Sequence, residues 1–229
     1  MAEKISTGCT VLDEILKGGL EAGIITTIYG PSATGKTNIC MLSALSMAKT
    51  KKIIYIDTEG NASLARLIQL AGKNIKLLDN ILILKPTNFM EQKDIFNRLK
   101  DMISDKIGII IVDTISMLYR VELGGNKLYE INQELGKQLS YLLEIARKRE
   151  IPCLITAQVY NDFDVPGNMK IVGGEIIKYS SKVLIEITID ERSNRTMILR
   201  KHSSLPESKI EFKITQNGLE KIKKNFILG

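Results

Sequence analysis

Residues Gly30–Thr37 read GPSATGKT, a spacing of G-x-x-x-x-G-K-[ST], set between a short β-branched run and a helix-forming segment. The glycines let the backbone wrap closely. Gly30, Pro31, Ser32, Ala33, Thr34, Gly35, Lys36 and Thr37 thus form one cradle whose N–H groups point at phosphate oxygens. A helix starting near Gly35 adds the positive end of its dipole at the same point. The spacing assigns Lys36 to the β- and γ-phosphates and the Thr37 hydroxyl to Mg²⁺. The ligand expected is therefore a magnesium-bound nucleoside triphosphate.

Three strand ends carry groups suited to the outer end of that ligand. Asp113 closes the apolar run IGIIIVDT, where a carboxylate orients a metal-bound water or touches the ion itself, so Thr37 and Asp113 are the expected metal residues. YIDTEGN, residues 55–61, stops a buried strand at Asp57 and Glu59, beside the flexible Gly60. Glu59 is the candidate catalytic base, placed to accept a proton from an attacking water or to orient it. The competing role for Glu59 is to cap a helix beginning near Ala62. Asp57 is expected to support the turn or the metal's water shell, and the strand bearing both carboxylates is expected near the γ-phosphate. Gln158 ends LITAQV. Its amide either bonds the γ-phosphate, and moves the following loop when that phosphate leaves, or simply faces solvent.

Strand ends align only if a sheet aligns them. Ile24–Tyr29, Ile53–Asp57, Ile81–Leu84, Ile107–Asp113 and Pro152–Ala157 are short, β-branched and nearly uncharged, as strands buried on both faces are. Helical candidates alternate with them: Lys36–Lys49, Leu64–Ala71, Met90–Ser104 and Leu128–Glu150. The expected class is α/β, with a mainly parallel central sheet flanked by helices through right-handed crossovers. After residue 175, Lys182–Asp190, Arg195–Lys201 and Lys209–Thr215 read as strands extending that sheet antiparallel. One domain over residues 1–229 is expected. Two irregular segments, Arg120–Lys127 and Val159–Gly174, leave the carboxyl edge of the sheet, where open α/β folds place their sites.

Composition excludes several other chemistries. Cys9, Cys40 and Cys153 lack metal-ligand spacing and read as buried free thiols, and His202 is the sole histidine, so zinc or histidine-triad chemistry has no ligand set. No apolar run is long enough to span a bilayer and no signal-peptide stretch precedes the first strand, so no membrane role and a cytoplasmic location are expected. The net charge of +6 permits an acidic partner such as nucleic acid.

Taken together and in order, ISTGCTVLDEILKGGLEAGIITTIYGPSATGKT, YIDTEG, IIIVDTISMLYR, ITAQV, VGGEII and SLPES resemble the RecA/RadA recombinase superfamily, on its branch of short archaeal paralogues. The resemblance runs from about Lys4 to Lys221. It implies a RecA-like P-loop NTPase core binding ATP and Mg²⁺ at Gly30–Thr37, with Asp113 as the second ATP-site carboxylate, Glu59 as catalytic glutamate and Gln158 as γ-phosphate sensor. It also implies two DNA-facing loops, at Arg120–Lys127 and Tyr160–Gly173, in which Arg120, Lys127 and Lys170 meet phosphates or act as ordinary solvated charge. The implied partners are single-stranded DNA, the RadA recombinase and a Holliday-junction resolvase.

The chain also departs from the pattern. Neither the N-terminal helical domain of full recombinases nor the linker carrying their protomer-joining aromatic motif is expected, the second loop is short, and Asp162 and Asp164 put negative charge where DNA approaches. Lys201 stands where these recombinases usually carry an aspartate that reaches a neighbour's ATP. In a homo-oligomer it either acts in trans on phosphoryl-transfer charge, with Pro206 and Glu207 capping the neighbour's nucleotide, or is a surface lysine. The function expected is an ATP- and DNA-binding accessory protein of homologous recombination and repair, with weak, DNA-dependent ATP hydrolysis, modulating RadA. The alternatives are a KaiC-like signalling ATPase or autokinase, against which the single glutamate of YIDTEG weighs, and a nucleotide-gated protein scaffold that hardly touches DNA.

Overall fold

In the computed structural model, residues 3–123, 128–162, 169–191 and 193–222 are described. The N-terminal part contributes β1 (Lys4–Ile5), α1 (Thr10–Ile15) and β2 (Leu20–Glu21) ahead of β3 (Ile25–Tyr29). Next come α2 (Lys36–Met47), β4 (Lys52–Asp57), α3 (Leu64–Ala71), a 3₁₀ turn at Ile75–Asn80 and β5 (Ile81–Leu84). They are followed by α4 (Phe89–Met102), β6 (Ile107–Asp113), α5 (Met117–Val121), α6 (Leu128–Arg149) and β7 (Cys153–Ala157). The rest is β8 (Val159–Asn161), β9 (Met169–Ile171), α7 (Gly174–Ser180), β10 (Val183–Ile189), β11 (Arg195–Lys201), β12 (Ser208–Thr215) and β13 (Gly218–Lys221).

Among the described residues the main sheet has nine strands in the order β13-β12-β11-β10-β3-β7-β6-β4-β5. Its strands are apolar throughout because both faces are covered, and successive side chains divide between two cores. Ile53, Tyr55, Ile109 and Ile111 join the core built with α1, α2 and α3. Ile54, Ile56, Ile110 and Val112 join the core built with α4, α5, α6 and α7. In α6, Leu135, Leu139 and Leu142 are fully buried, and Arg147, Lys148 and Arg149 end the helix where its dipole favours cations.

The structure corrects the sequence expectation in several places. The strand at Val183–Ile189 does not open the antiparallel extension: β10 pairs parallel with β3, because α7 carries the chain back across the sheet before β10 begins. The antiparallel part starts at β11 and gains β13, which was not anticipated. The strand bearing Asp57 and Glu59 is separated from the phosphate-loop strand by two others, yet Glu59 lines the same cleft as Lys36. β7 and β6 lie between β3 and β4, so Gln158 leads off the adjacent strand and Glu59 must reach in from beyond. Finally, the irregular segments carry structure of their own. Arg120 belongs to the short helix α5, and β8 pairs antiparallel with β9 as a ribbon directly after Gln158.

Candidate nucleotide-binding site

The phosphate loop is held from below by close backbone contacts. A Cβ built on Gly30 would stand 2.2 Å from the carbonyl oxygen of Ile187 on β10, so the loop leaves β3 at a distance only glycine allows. Gly35, with φ at +104°, starts α2 from the left-handed region. Thr34 Oγ1 donates to the Pro31 carbonyl at 2.9 Å, and Arg195 of β11 donates to the Ala33 carbonyl at 3.2 Å. Lys36 Nζ arches over the loop and donates to the carbonyls of Gly30 (2.8 Å) and Pro31 (2.7 Å). Burial holds the Lys36 ammonium below the usual lysine range, against the opposing pull of Glu59 and Asp113.

Across the cleft lies Asp113, 2 % exposed. Its carboxylate is fixed from both neighbouring strands: Thr156 Oγ1 donates to Oδ1 at 2.6 Å and Tyr55 Oη donates to Oδ2 at 2.9 Å. The Thr37 hydroxyl, on α2, lies near enough to favour the carboxylate's charged form. Burial raises the Asp113 carboxyl above the ordinary carboxylate range, and these hydrogen bonds oppose the shift. Thr37 and Asp113, read separately from the sequence, are thus one constellation.

Glu59 is not a helix cap, since α3 is entered through Ser63. Its Oε1 accepts from Gln158 Nε2 at 2.6 Å and from Thr114 Oγ1 at 3.4 Å, and its Oε2 accepts from Asn61 Nδ2 at 2.6 Å. Asp57 does support the turn, its carboxylate accepting the N–H groups of Asn61 and Ala62 at 3.1 Å each. Gln158 faces the site rather than bulk solvent. Its own N–H bonds Ser116 Oγ at 3.0 Å and its carbonyl accepts from Val172 N–H at 2.9 Å, so one residue ties together Glu59, the segment entering α5 and the base of the β8–β9 ribbon.

These residues wall one cleft of about 500 Å³, with Lys36, Thr37, Asp113, Glu59 and Gln158 all on its surface. A cationic side chain, a hydroxyl, a buried carboxylate and a loop shaped for close backbone approach are the donor set a magnesium-bound triphosphate requires, so the residues fit that group. Arg120, read from the sequence as a DNA contact, lies on the same cleft. Lys201 and Pro206 do not line it; Lys201 Nζ donates to the carbonyls of Lys178 and Ser181, 2.8 Å each, at the end of α7. Lys170 forms an ion pair with Asp162 at 2.9 Å. Lys127 and Asp164 lie outside the described residues.

Other residues on the cleft carried no signal in the sequence. Arg66 bonds Asn38 Oδ1 (2.8 Å) and the Thr215 carbonyl (2.8 Å), locking the β12–β13 turn against α2 so that Ile214 also faces the cleft. Partners 149 residues apart leave no local pattern to read. Cys9, Cys40 and Cys153 are buried free thiols, and the described residues hold no cluster of His, Cys, Asp and Glu suited to a metal ion. Among them no helix is long and apolar enough to cross a membrane.

Comparison with known proteins gives a consistent picture. The family model described as Rad51 matches residues 2–222. The DNA repair and recombination protein RadB of a Methanococcus maripaludis strain is 42% identical over 221 residues, covering 94% of this chain and 100% of that protein. RadB of Methanocaldococcus jannaschii is 38% identical over 215 residues, covering 92% and 99%. A crystal structure of the RadB recombinase superposes with a TM-score of 0.81 at 32% identity, covering 95% of this chain and 99% of that one.

Proposed function

The chain belongs to the Rad51 family, in its RadB branch, and from that premise we propose that it is an ATP- and DNA-binding accessory protein of homologous recombination and repair. One observation carries the reading: the Glu59–Gln158 contact of 2.6 Å joins the hydrolytic end of the cleft to the ribbon that leads into the second loop. Nucleotide state and loop position are thereby one mechanical unit. The signalling ATPase reading drops out with the family assignment.

Gly30–Thr37 bind the phosphates of ATP, Lys36 leaving its two carbonyls for the β- and γ-oxygens. Thr37 and Asp113 hold Mg²⁺, which supplies charge neutralisation at the phosphates when bound. Glu59 is the base: Oε1 accepts the proton of a water aligned with the γ-phosphorus, once Gln158 turns its amide from the carboxylate to the phosphate. Hydrolysis is slow because that exchange must happen first. Arg120, Lys170 and Lys127 contact single-stranded DNA, and the protein works as one ATPase core beside RadA and a Holliday-junction resolvase. In an assembly of copies, Lys201 leaves the end of α7 and reaches the neighbouring nucleotide beside Pro206 and Glu207. Lys201→Ala is then expected to lower turnover only at protein concentrations that favour assembly, and equal turnover at every concentration removes that role.

The deciding measurement is ATP turnover with and without single-stranded DNA at two protein concentrations. Stimulation by DNA supports the coupling, and identical rates in all four conditions overturn it. A second reading, the nucleotide-gated scaffold with little DNA contact, has the Lys170–Asp162 ion pair in its favour, since that lysine's charge is already answered within the ribbon. Anisotropy with labelled oligonucleotide in a salt series separates the two: no binding at low salt with ATP and magnesium present selects the scaffold.

A further inference from the structure

Tyr55 is fully buried in the middle of β4, in a chain whose aromatic content is only 5%. A phenol so placed must satisfy its hydroxyl locally, and this one does so inside the nucleotide site. In the parallel register Tyr55 pairs with Ile111 and Asp57 with Asp113, so Tyr55 and Asp113 are diagonal neighbours on the α2 face of the sheet. Its hydroxyl donates to Asp113 Oδ2 at 2.9 Å. The direction is set by chemistry. An ionised carboxylate only accepts, so the phenol gives its proton to Asp113.

We propose that Tyr55 is a positioning residue for the metal: buried in β4 and bonded to Asp113, it fixes the rotation at which the Asp113 carboxylate meets the divalent cation of the bound nucleotide. Thr156 restrains Oδ1 at 2.6 Å, and one donor per oxygen is the minimum that stops the carboxylate from swinging about its terminal torsion. With both in place, the remaining lone pairs keep a constant aim into the cleft. The arrangement also makes the metal position depend on where α2 lies, because Thr37 rides on that helix with Lys36. The inference rests on the nucleotide reading above.

The test is Tyr55→Phe, which keeps the ring and removes the hydroxyl. A fluorescent, slowly hydrolysed ATP analogue is bound to wild type and variant while Mg²⁺ is titrated, and again in EDTA. The half-saturating Mg²⁺ concentration is expected to rise roughly tenfold or more, the weight of one hydrogen bond to a charged group, with affinity in EDTA unchanged. An unchanged magnesium requirement, or an equal loss with and without metal, overturns the proposal. Wild type that binds no analogue overturns the nucleotide reading instead, and the proposal falls with it. A second measurement needs no variant: with ¹³Cζ-labelled tyrosine, one solvent-protected resonance moves when Mg²⁺ is added to the analogue complex, and if none moves Tyr55 does not feel the metal.

Discussion

Glu59 and Gln158 lie 99 residues apart in the chain and 2.6 Å apart in space, and on the proposed mechanism that contact accounts for the type of each side chain. A carboxylate facing a water needs an acceptor free at the right moment. An amide is suited to guard it, because it carries donor and acceptor but no charge to titrate. Glu59→Gln should therefore cut phosphate release by about 10²–10⁴-fold while analogue affinity stays within a few fold, as read by a phosphate sensor and by anisotropy. Gln158→Ala frees the carboxylate while keeping the backbone bonds to Ser116 and Val172, so DNA stimulation of turnover should vanish with nucleotide affinity retained. The thiols give a separate check on burial. Burial pushes Cys9 up to about 11, Cys153 to about 12 and Cys40 well above the ordinary thiol range. None should react with a thiol reagent at pH 8 in the native protein, and all three should react after denaturation. Of these features, the residue types were legible in YIDTEG and LITAQV. The pairing was not, because no local spacing relates two strand tips separated by β6.

At the level of elements, the strands and helices follow from pattern wherever both faces of the sheet are covered. Ile107–Asp113 is buried at every position, and a run of that kind reads as a strand without ambiguity. The short elements are too brief to carry a periodic pattern: α7 is only seven residues, and β13 only four. They form because neighbours cover them, not because their own residues insist. Gly30 is the hinge between element and site. Gly30→Ala should collide with the Ile187 carbonyl, part β3 from β10 and cost about 1–3 kcal/mol together with nucleotide binding, measured by thermal melting and analogue titration. The α4–α6 contact depends on a buried amide pair, Gln92 Nε2 donating to Gln138 Oε1 at 2.7 Å. Gln138→Ala removes the shorter bond and leaves the buried Gln92 amide only the Ile115 carbonyl at 3.4 Å, so a loss of about 1–3 kcal/mol is expected in urea unfolding.

For the whole molecule, the question is whether the face carrying the α5 segment and the β8–β9 ribbon meets DNA. Net charge of +6 favours it and the Lys170–Asp162 pair opposes it. Asp162→Asn removes the opposing charge without changing shape, so single-strand affinity should rise and its salt slope should steepen by about 0.7, the value for one added phosphate contact. An unchanged salt series would favour the scaffold. The sequence by itself determined the phosphate loop, the strand ends bearing Asp113, Glu59 and Gln158, and the alternating α/β class, because these are written in contiguous residues whose spacing and local geometry are the signal. Only the tertiary structure decided that β7 lies beside β3, that β10 runs parallel, that Arg120 borders the nucleotide cleft, and that Tyr55 and Arg66 hold the site. Those facts depend on which strands become neighbours, and strand order is set by packing the two faces of the sheet, a property of the folded whole that no single segment carries.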